Sequence, residues 1–137
     1  MKILFICKHN RFRSKVAEAI FNKLNKNSKY KAESAGLILD KLRPYIEKNV
    51  INIMKEKGYN IKGKPKKATK KFLKKFDLIV IVADNADEKF FSDINIKRIK
   101  WKISDCSASD VKSIKKIINH IEKRVKDLIQ KIPNFTN

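Results

Sequence analysis

Short, unbroken apolar runs alternate with stretches of helical periodicity along this chain, and that alternation restricts its fold more than any other feature. Residues 3–6, Ile-Leu-Phe-Ile, and residues 78–82, Leu-Ile-Val-Ile-Val, have the length and composition of strands buried on both faces. Between and after them the pattern changes to one apolar face per 3.6 residues. Val16, Ala17, Ile20, Phe21 and Leu24 make one such face, with Ser14 as its expected N-cap and Asn25 to Ser28 ending the helix. Ile46, Val50, Ile53 and Met54 make a second, with Pro44 expected at its start and Gly58 at its C-terminal turn. Val111, Ile114, Ile117, Ile118, Ile121, Val125, Leu128 and Ile129 make the longest, capped by Ser109-Asp110, and the chain is expected to fray after Ile132. Residues 29–35 alternate as an edge strand closed by Gly36, and residues 94–101 read as a last strand. Strands separated by helices imply a parallel sheet covered on both faces. Right-handed crossovers then place every strand's C-terminal end on one rim, where ligands of such sheets bind.

Composition narrows the functional classes. The 137 residues suit one domain, and 42% hydrophobic content excludes a disordered tail. The longest apolar run, Leu78 to Ala83, is far short of the roughly 18 residues of a membrane span. The apolar segment at the N-terminus is too short for a signal peptide. Two cysteines make no disulfide framework, which fits a reducing compartment; the expected location is cytoplasmic, with no membrane partner. The net charge is +20, from 34 Lys+Arg against 14 Asp+Glu. Only 5 of the basic residues are Arg, and the lysines are spread along the whole chain. Nucleic-acid readers instead group Arg and aromatics on one element, so nucleic acid is not the expected partner. The eight lysines of residues 62–75 read as a solvated loop and short helix, or as an anion-steering surface.

The chemistry concentrates in Cys7-Lys8-His9-Asn10-Arg11-Phe12-Arg13-Ser14, between the first strand and the first helix. Backbone N–H groups of such a loop converge as an anion cradle. The helix N-terminus adds positive potential, and Arg13 offers a planar fork for two oxygens of a phosphate-like anion. A thiolate at Cys7 is stabilised by that surrounding, and Ser14 can donate a hydrogen bond to the sulfur. A free Cys is more often a small buried hydrophobe. The strand–loop–helix context with Asn10, Arg13 and Ser14 favours the catalytic reading.

The segment from Cys7 to Ser14 resembles the phosphate loop of the low-molecular-weight protein tyrosine phosphatases and of their relatives, the thioredoxin-coupled arsenate reductases. Glu33-Ser34-Ala35-Gly36, Phe76-Asp77-Leu78-Ile79-Val80 and Trp101-Lys102-Ile103-Ser104-Asp105 resemble further segments of that family in order and spacing. The stretch from Val50 to Asp110 is closer in length and pattern to the arsenate-reductase branch. The resemblance implies an α/β three-layer sandwich over residues 1–137, with a four-stranded parallel sheet of order 2-1-3-4 and helices on both faces. It also implies phosphomonoester hydrolysis, of protein phosphotyrosine or a smaller phosphoester, through a phosphocysteine. Cys7 would be the nucleophile, Arg13 and the loop amides the oxyanion clamp, and Asp105 the general acid and base. Asp105 and Asp110 are also typical capping residues, and Asp84 follows another strand end. No cofactor or metal is implied.

Five positions and one stretch depart from the family pattern. His9 stands where Gly is usual and is expected to alter the loop's turn or to add charge beside Cys7. Phe12 stands where a second Cys is frequent, and residues 78–92 lack the two cysteines of the three-cysteine arsenate reductases. An arsenate-reductase-like enzyme would therefore need an external thiol partner of the thioredoxin type. Cys106 replaces the proline that usually follows the aspartate, and Ser107 and Ala108 follow it in place of aromatics. Cys106 could pair reversibly with Cys7, or be a plain loop residue. A third expectation is a non-catalytic anion- or nucleic-acid-binding relative.

Overall fold

The computed structural model describes residues 1–135. Four strands, β1 (Lys2–Cys7), β2 (Lys31–Gly36), β3 (Leu78–Val82) and β4 (Lys97–Trp101), form one parallel sheet of order β2-β1-β3-β4. Helices α1 (Arg13–Leu24), α2 (Lys48–Glu56), α3 (Lys70–Leu73) and α4 (Val111–Lys131) alternate with them. This is the expected α/β architecture and strand order.

Period-two alternation in the two central strands sorts the core. Ile3, Phe5, Leu78 and Val80 point to one face, against the apolar stripes of α1, α2 and α4. Leu4, Ile6, Ile79 and Ile81 point to the other, where Leu73 of α3, Phe76 and Phe91 cover them. That second face is closed by one short helix and a 3-10 turn at Glu88–Phe91, so it is the thinner layer. Burying both faces of β1 and β3 is what the uninterrupted apolar runs require.

The element boundaries differ from sequence expectation in instructive places. Helix α1 starts at Arg13 with Phe12 in the cap position and no side-chain cap, so Ser14 does not cap it. Helix α2 starts at Lys48, not near Pro44; residues 37–47 form a loop instead. The last strand begins at Lys97, after a turn that includes Ile94. Residues Ile132–Phe135 form a 3-10 turn rather than fraying, and the remaining residues of that expectation lie outside the described ones. Gly58 does close α2, with φ +89° and its N–H donating to Lys55 O at 3.0 Å. Asp110 caps α4 by accepting from Ser113 N at 3.1 Å.

The order β2-β1-β3-β4 puts a switch point between the C-terminal ends of β1 and β3, because the chain leaves those two strands in opposite directions. Cys7 ends β1, and Asp84 follows β3, at that point. Gly36, at the end of β2, packs beneath the loop after Cys7: a Cβ there would lie 2.7 Å from His9 C and 2.8 Å from Asn10 N. Those are backbone atoms that cannot swing aside. Gly36→Ala should therefore lower stability by about 1–3 kcal/mol, read as a shift of the urea midpoint. An unchanged midpoint would show that the two segments are not in close contact.

Candidate active site

The loop from Cys7 to Arg13 is held from below by a buried polar chain. Asn10 occupies the left-handed region at φ 57°, which Asn tolerates better than most residues. Its amide donates to Ser14 Oγ at 2.7 Å and to Ser34 Oγ at 3.0 Å, and its Oδ1 accepts from Lys66 N at 3.1 Å. The amide nitrogen can only donate, so both serine oxygens accept from it. Ser14 Oγ accepts from Asn10 and lies 2.9 Å from Cys7 Sγ, to which it can donate when the sulfur is a thiolate. Ser34 Oγ likewise donates to Glu18 Oε1 at 2.5 Å. Glu18 faces the Lys15 ammonium at 3.7 Å, and Lys15 donates to Lys62 O at 3.1 Å. Burial pushes the Lys15 ammonium below the ordinary lysine value, and Glu18 pulls it partly back.

Above this floor lie the loop amides. Among the described residues, the backbone N–H groups from His9 through Arg13 donate to no protein acceptor, although Asn10, Arg11, Phe12 and Arg13 are all buried. Buried amides without partners are rare in folded proteins. Arg13 closes the loop. Its guanidinium is buried, with Nη1 donating to Ile103 O at 2.8 Å and Nη2 to Asn85 Oδ1 at 3.0 Å. Asp84 lies 3.6 Å from Nη1, and Asp105 lies 3.9 Å from Nη2. The Nε–H has no partner among the described residues.

A cleft of about 270 Å³ opens over these groups. Cys7, His9, Arg11, Phe12 and Arg13 line its floor; Asp105, Cys106, Ser107 and Ala108 line one side, and Arg43, Glu47, Val50 and Ile114 the rest. Cys7, Arg13 and Asp105 are thus brought together. Asp84 reaches Arg13 but does not line the cleft, whereas Asp110 is turned to the α4 cap. Asn10 and Ser14 lie beneath the cleft, and Lys8 is exposed outside its wall. Cys106 is a free, half-buried thiol in the same wall, its N–H donating to Asp105 Oδ1 at 2.8 Å. Burial, then the charges of Asp105 and Asp110, push the Cys106 thiol up, with Arg13 opposing. Among the described residues no group of three or more His, Cys, Asp and Glu is placed to hold a metal ion.

A family model described as low molecular weight phosphotyrosine protein phosphatase matches residues 2–135. The chain belongs to this family. Its members are cysteine phosphatases, and solved structures similar to this chain include arsenate reductases as well. An arsenate reductase from Archaeoglobus fulgidus is 30% identical, with 93% of this chain and 98% of that one covered and a TM-score of 0.77. A low molecular weight protein tyrosine phosphatase from T. tengcongensis is 23% identical over 96% of this chain and 99% of that one, TM-score 0.82. An arginine phosphatase from Geobacillus stearothermophilus is 16% identical over 97% and 93%, TM-score 0.83. The last two likenesses concern the fold. No curated protein matches the chain.

Against the phosphatase family pattern, His9 does not sit in the left-handed region; Asn10 does. The His9 ring instead points sideways, with Nδ1 2.9 Å from Ile38 O, which can only accept. Arg11 likewise reaches sideways, from Nε to Tyr45 O at 2.9 Å and in an ion pair with Glu47. Sequence reasoning overlooked Asn85, Glu47, and the roles of Ser34 and Glu18. Of these, Asn85 had a signal, because it follows a buried strand at its C-terminal end.

Two substitutions separate backbone conformation from hydrogen bonding at Asn10. Asn10→Ala and Asn10→Gly both remove the three side-chain bonds, but only Ala must also hold a positive φ. Both should destabilise, Ala by about 1 kcal/mol more than Gly, by chemical denaturation. Equal stability of Ala and wild type would remove Asn10 from this account.

Proposed function

We propose that this protein is a cysteine-dependent phosphatase that hydrolyses phosphomonoesters, phosphotyrosine in proteins foremost, through a phosphocysteine intermediate. The observation that carries the reading is the run of backbone N–H groups from His9 through Arg13 that find no protein acceptor among the described residues, in a loop that lines the same cleft as Cys7. Such a row stabilises a tetrahedral anion and little else. Arg13 adds its free Nε–H to the same cradle, while Ile103 and Asn85 hold its other nitrogens in place.

In the first step the Cys7 thiolate attacks phosphorus, a P–S bond forms and the P–O bond to the leaving group breaks. Asp105, in the cleft wall, gives its proton to the departing oxygen. In the second step Asp105 takes a proton from water, the water oxygen bonds to phosphorus, and Cys7 leaves as thiolate with inorganic phosphate released. The loop amides and Arg13 hold the three equatorial oxygens in both steps. The Ser14 hydroxyl, aimed at the sulfur, favours its anionic form as a leaving group. Phe12, Val50 and Ile114 give the cleft apolar walls that suit an aromatic leaving group.

A second reading, arsenate reduction with an external thiol of the thioredoxin type, is favoured by the 30% identity to the Archaeoglobus fulgidus arsenate reductase. The chain's two cysteines, Cys7 and Cys106, hold one electron pair at most between them, so repeated turnover needs a thiol partner to re-reduce them.

A panel of aryl phosphate, phosphotyrosine and phosphoserine peptides and small phosphoesters distinguishes these readings. Cys7→Ser should abolish turnover while vanadate binding persists. Asp105→Asn should lower kcat by about 10²–10⁴, most for poor leaving groups. Turnover that survives Cys7→Ser would refute the covalent route. Arsenate-dependent oxidation of reduced thioredoxin without esterase activity would favour the second reading.

A further inference from the structure

Lysines cover the surface of this chain, yet among the described residues Lys15 is the one that is buried, at 4% exposure. Nothing local favours a cation there. Lys15 lies in the first turn of α1, where the helix end is positive and no acidic residue stands, two residues after the buried Arg13. Taking an ammonium out of water is costly unless it is paired and hydrogen-bonded. Lys15 does not line the cleft, so no step of the reaction above uses it.

Its partners come from two directions. On its own helix, Glu18 Oε1 stands 3.7 Å from Lys15 Nζ. From the segment before α3, Lys62 O accepts from Nζ at 3.1 Å, and a Cβ at Gly63 would lie 3.4 Å from the same atom. Lys66 also acts on the ammonium, against its charge, and is itself paired with Glu33 at 3.1 Å. Both directions lead to Asn10, the loop residue with positive φ. Glu18 accepts from Ser34, and the Asn10 amide donates to Ser34 and to Ser14, which lies 2.9 Å from Cys7 Sγ. Four residues after Lys62, Lys66 N donates to Asn10 Oδ1. The supports of both ends of the Asn10 amide are thus fastened to one ammonium.

Among the described residues Glu18 pairs with no other cation. A half-buried carboxylate stripped of its cation turns to solvent or takes up a proton, and either change weakens it as an acceptor for Ser34. We propose that Lys15 is a positioning residue for the Cys7 loop: from beneath the cleft its ammonium holds Glu18 as the acceptor for Ser34, and thereby fixes the Asn10 and Ser14 side chains under the sulfur. The kinetic consequence rests on the phosphatase reading above; the consequence for the reactivity of Cys7 does not.

A double-substitution cycle on the full chain tests it with two readouts. One is turnover of para-nitrophenyl phosphate; the other is alkylation of Cys7 by iodoacetamide at neutral pH, followed on the peptide that carries it. Lys15→Met keeps the reach of the side chain and removes its charge. Glu18→Gln removes the opposite charge and keeps an oxygen that can accept from Ser34. Lys15→Met alone should lower kcat and the Cys7 alkylation rate by about tenfold. In the Glu18→Gln background the same substitution should change either rate by no more than about threefold, because no unpaired carboxylate remains. Equal losses in both backgrounds, or wild-type rates in Lys15→Met, would overturn the proposal. A lowered urea midpoint with both rates intact would overturn it too, by leaving Lys15 a structural residue only. If Lys15→Met does not fold, the doubly substituted chain should fold and match Glu18→Gln, and its failure to do so would equally overturn the proposal. Wild type without para-nitrophenyl phosphate turnover would refute the phosphatase reading, and the alkylation rates would then decide the role of Lys15 by themselves.

Discussion

A guanidinium buried to 2% exposure has to find partners for its donors inside the protein, and Arg13 finds them on two other loops. Ile103 O, after β4, takes one nitrogen, and Asn85, after β3, takes another, with Asp84 and Asp105 supplying negative charge nearby. Three strand ends are thereby tied to one cation. The arrangement orients Arg13 over the Cys7 loop and brings the Asp105 loop to the cleft through the same contacts. Removing the cation would leave an amide oxygen, a backbone carbonyl and two carboxylates facing one another, so the site and the local fold share a single dependency.

The floor of the site works by a related logic. Asn10 must take a conformation that most side chains resist, and its amide recovers the cost by satisfying Ser14, Ser34 and Lys66 together. Gly36 makes this geometry attainable, because any side chain there would strike the loop backbone. Glu18 accepts from Ser34, and the Asn10 amide donates to both Ser34 and Ser14, which holds the Ser14 hydroxyl against the sulfur. Rigid donors set before the reaction are what stabilise developing charge without reorganisation.

The sheet was legible in the sequence because burial on both faces leaves an uninterrupted apolar signature in Ile3 to Ile6 and Leu78 to Val82, and because the helical stripes are clean. Cys7 and Arg13 stood out because they end β1 and open α1 at the rim, whereas Asp105 stood out only through the resemblance of residues 101–105 to a family segment. What was not legible are the side-chain hydrogen bonds inside the loop and the contacts between segments far apart in sequence. Ser14 looks like an N-cap, yet its hydroxyl is claimed within the loop by Asn10 and Cys7, so the helix begins two residues earlier, at Arg13, without it. Pro44 looks like a helix start, yet the following residues are drawn to Arg11, and α2 opens only at Lys48. His9 and Arg11 look like additions to the anion site, yet both serve the neighbouring loop. At Ser14 a bond within the loop, and at Pro44 contacts with a distant segment, outweighed a local preference that is worth about 0.5–2 kcal/mol.

The covalent role of Cys7 is the claim on which the functional account stands. Its most direct measurement is mass spectrometry of Asp105→Asn protein quenched in acid during turnover of an aryl phosphate. The account predicts a phosphoryl adduct on the peptide containing Cys7, absent without substrate. Steady product release with that peptide unmodified at every time point would contradict it.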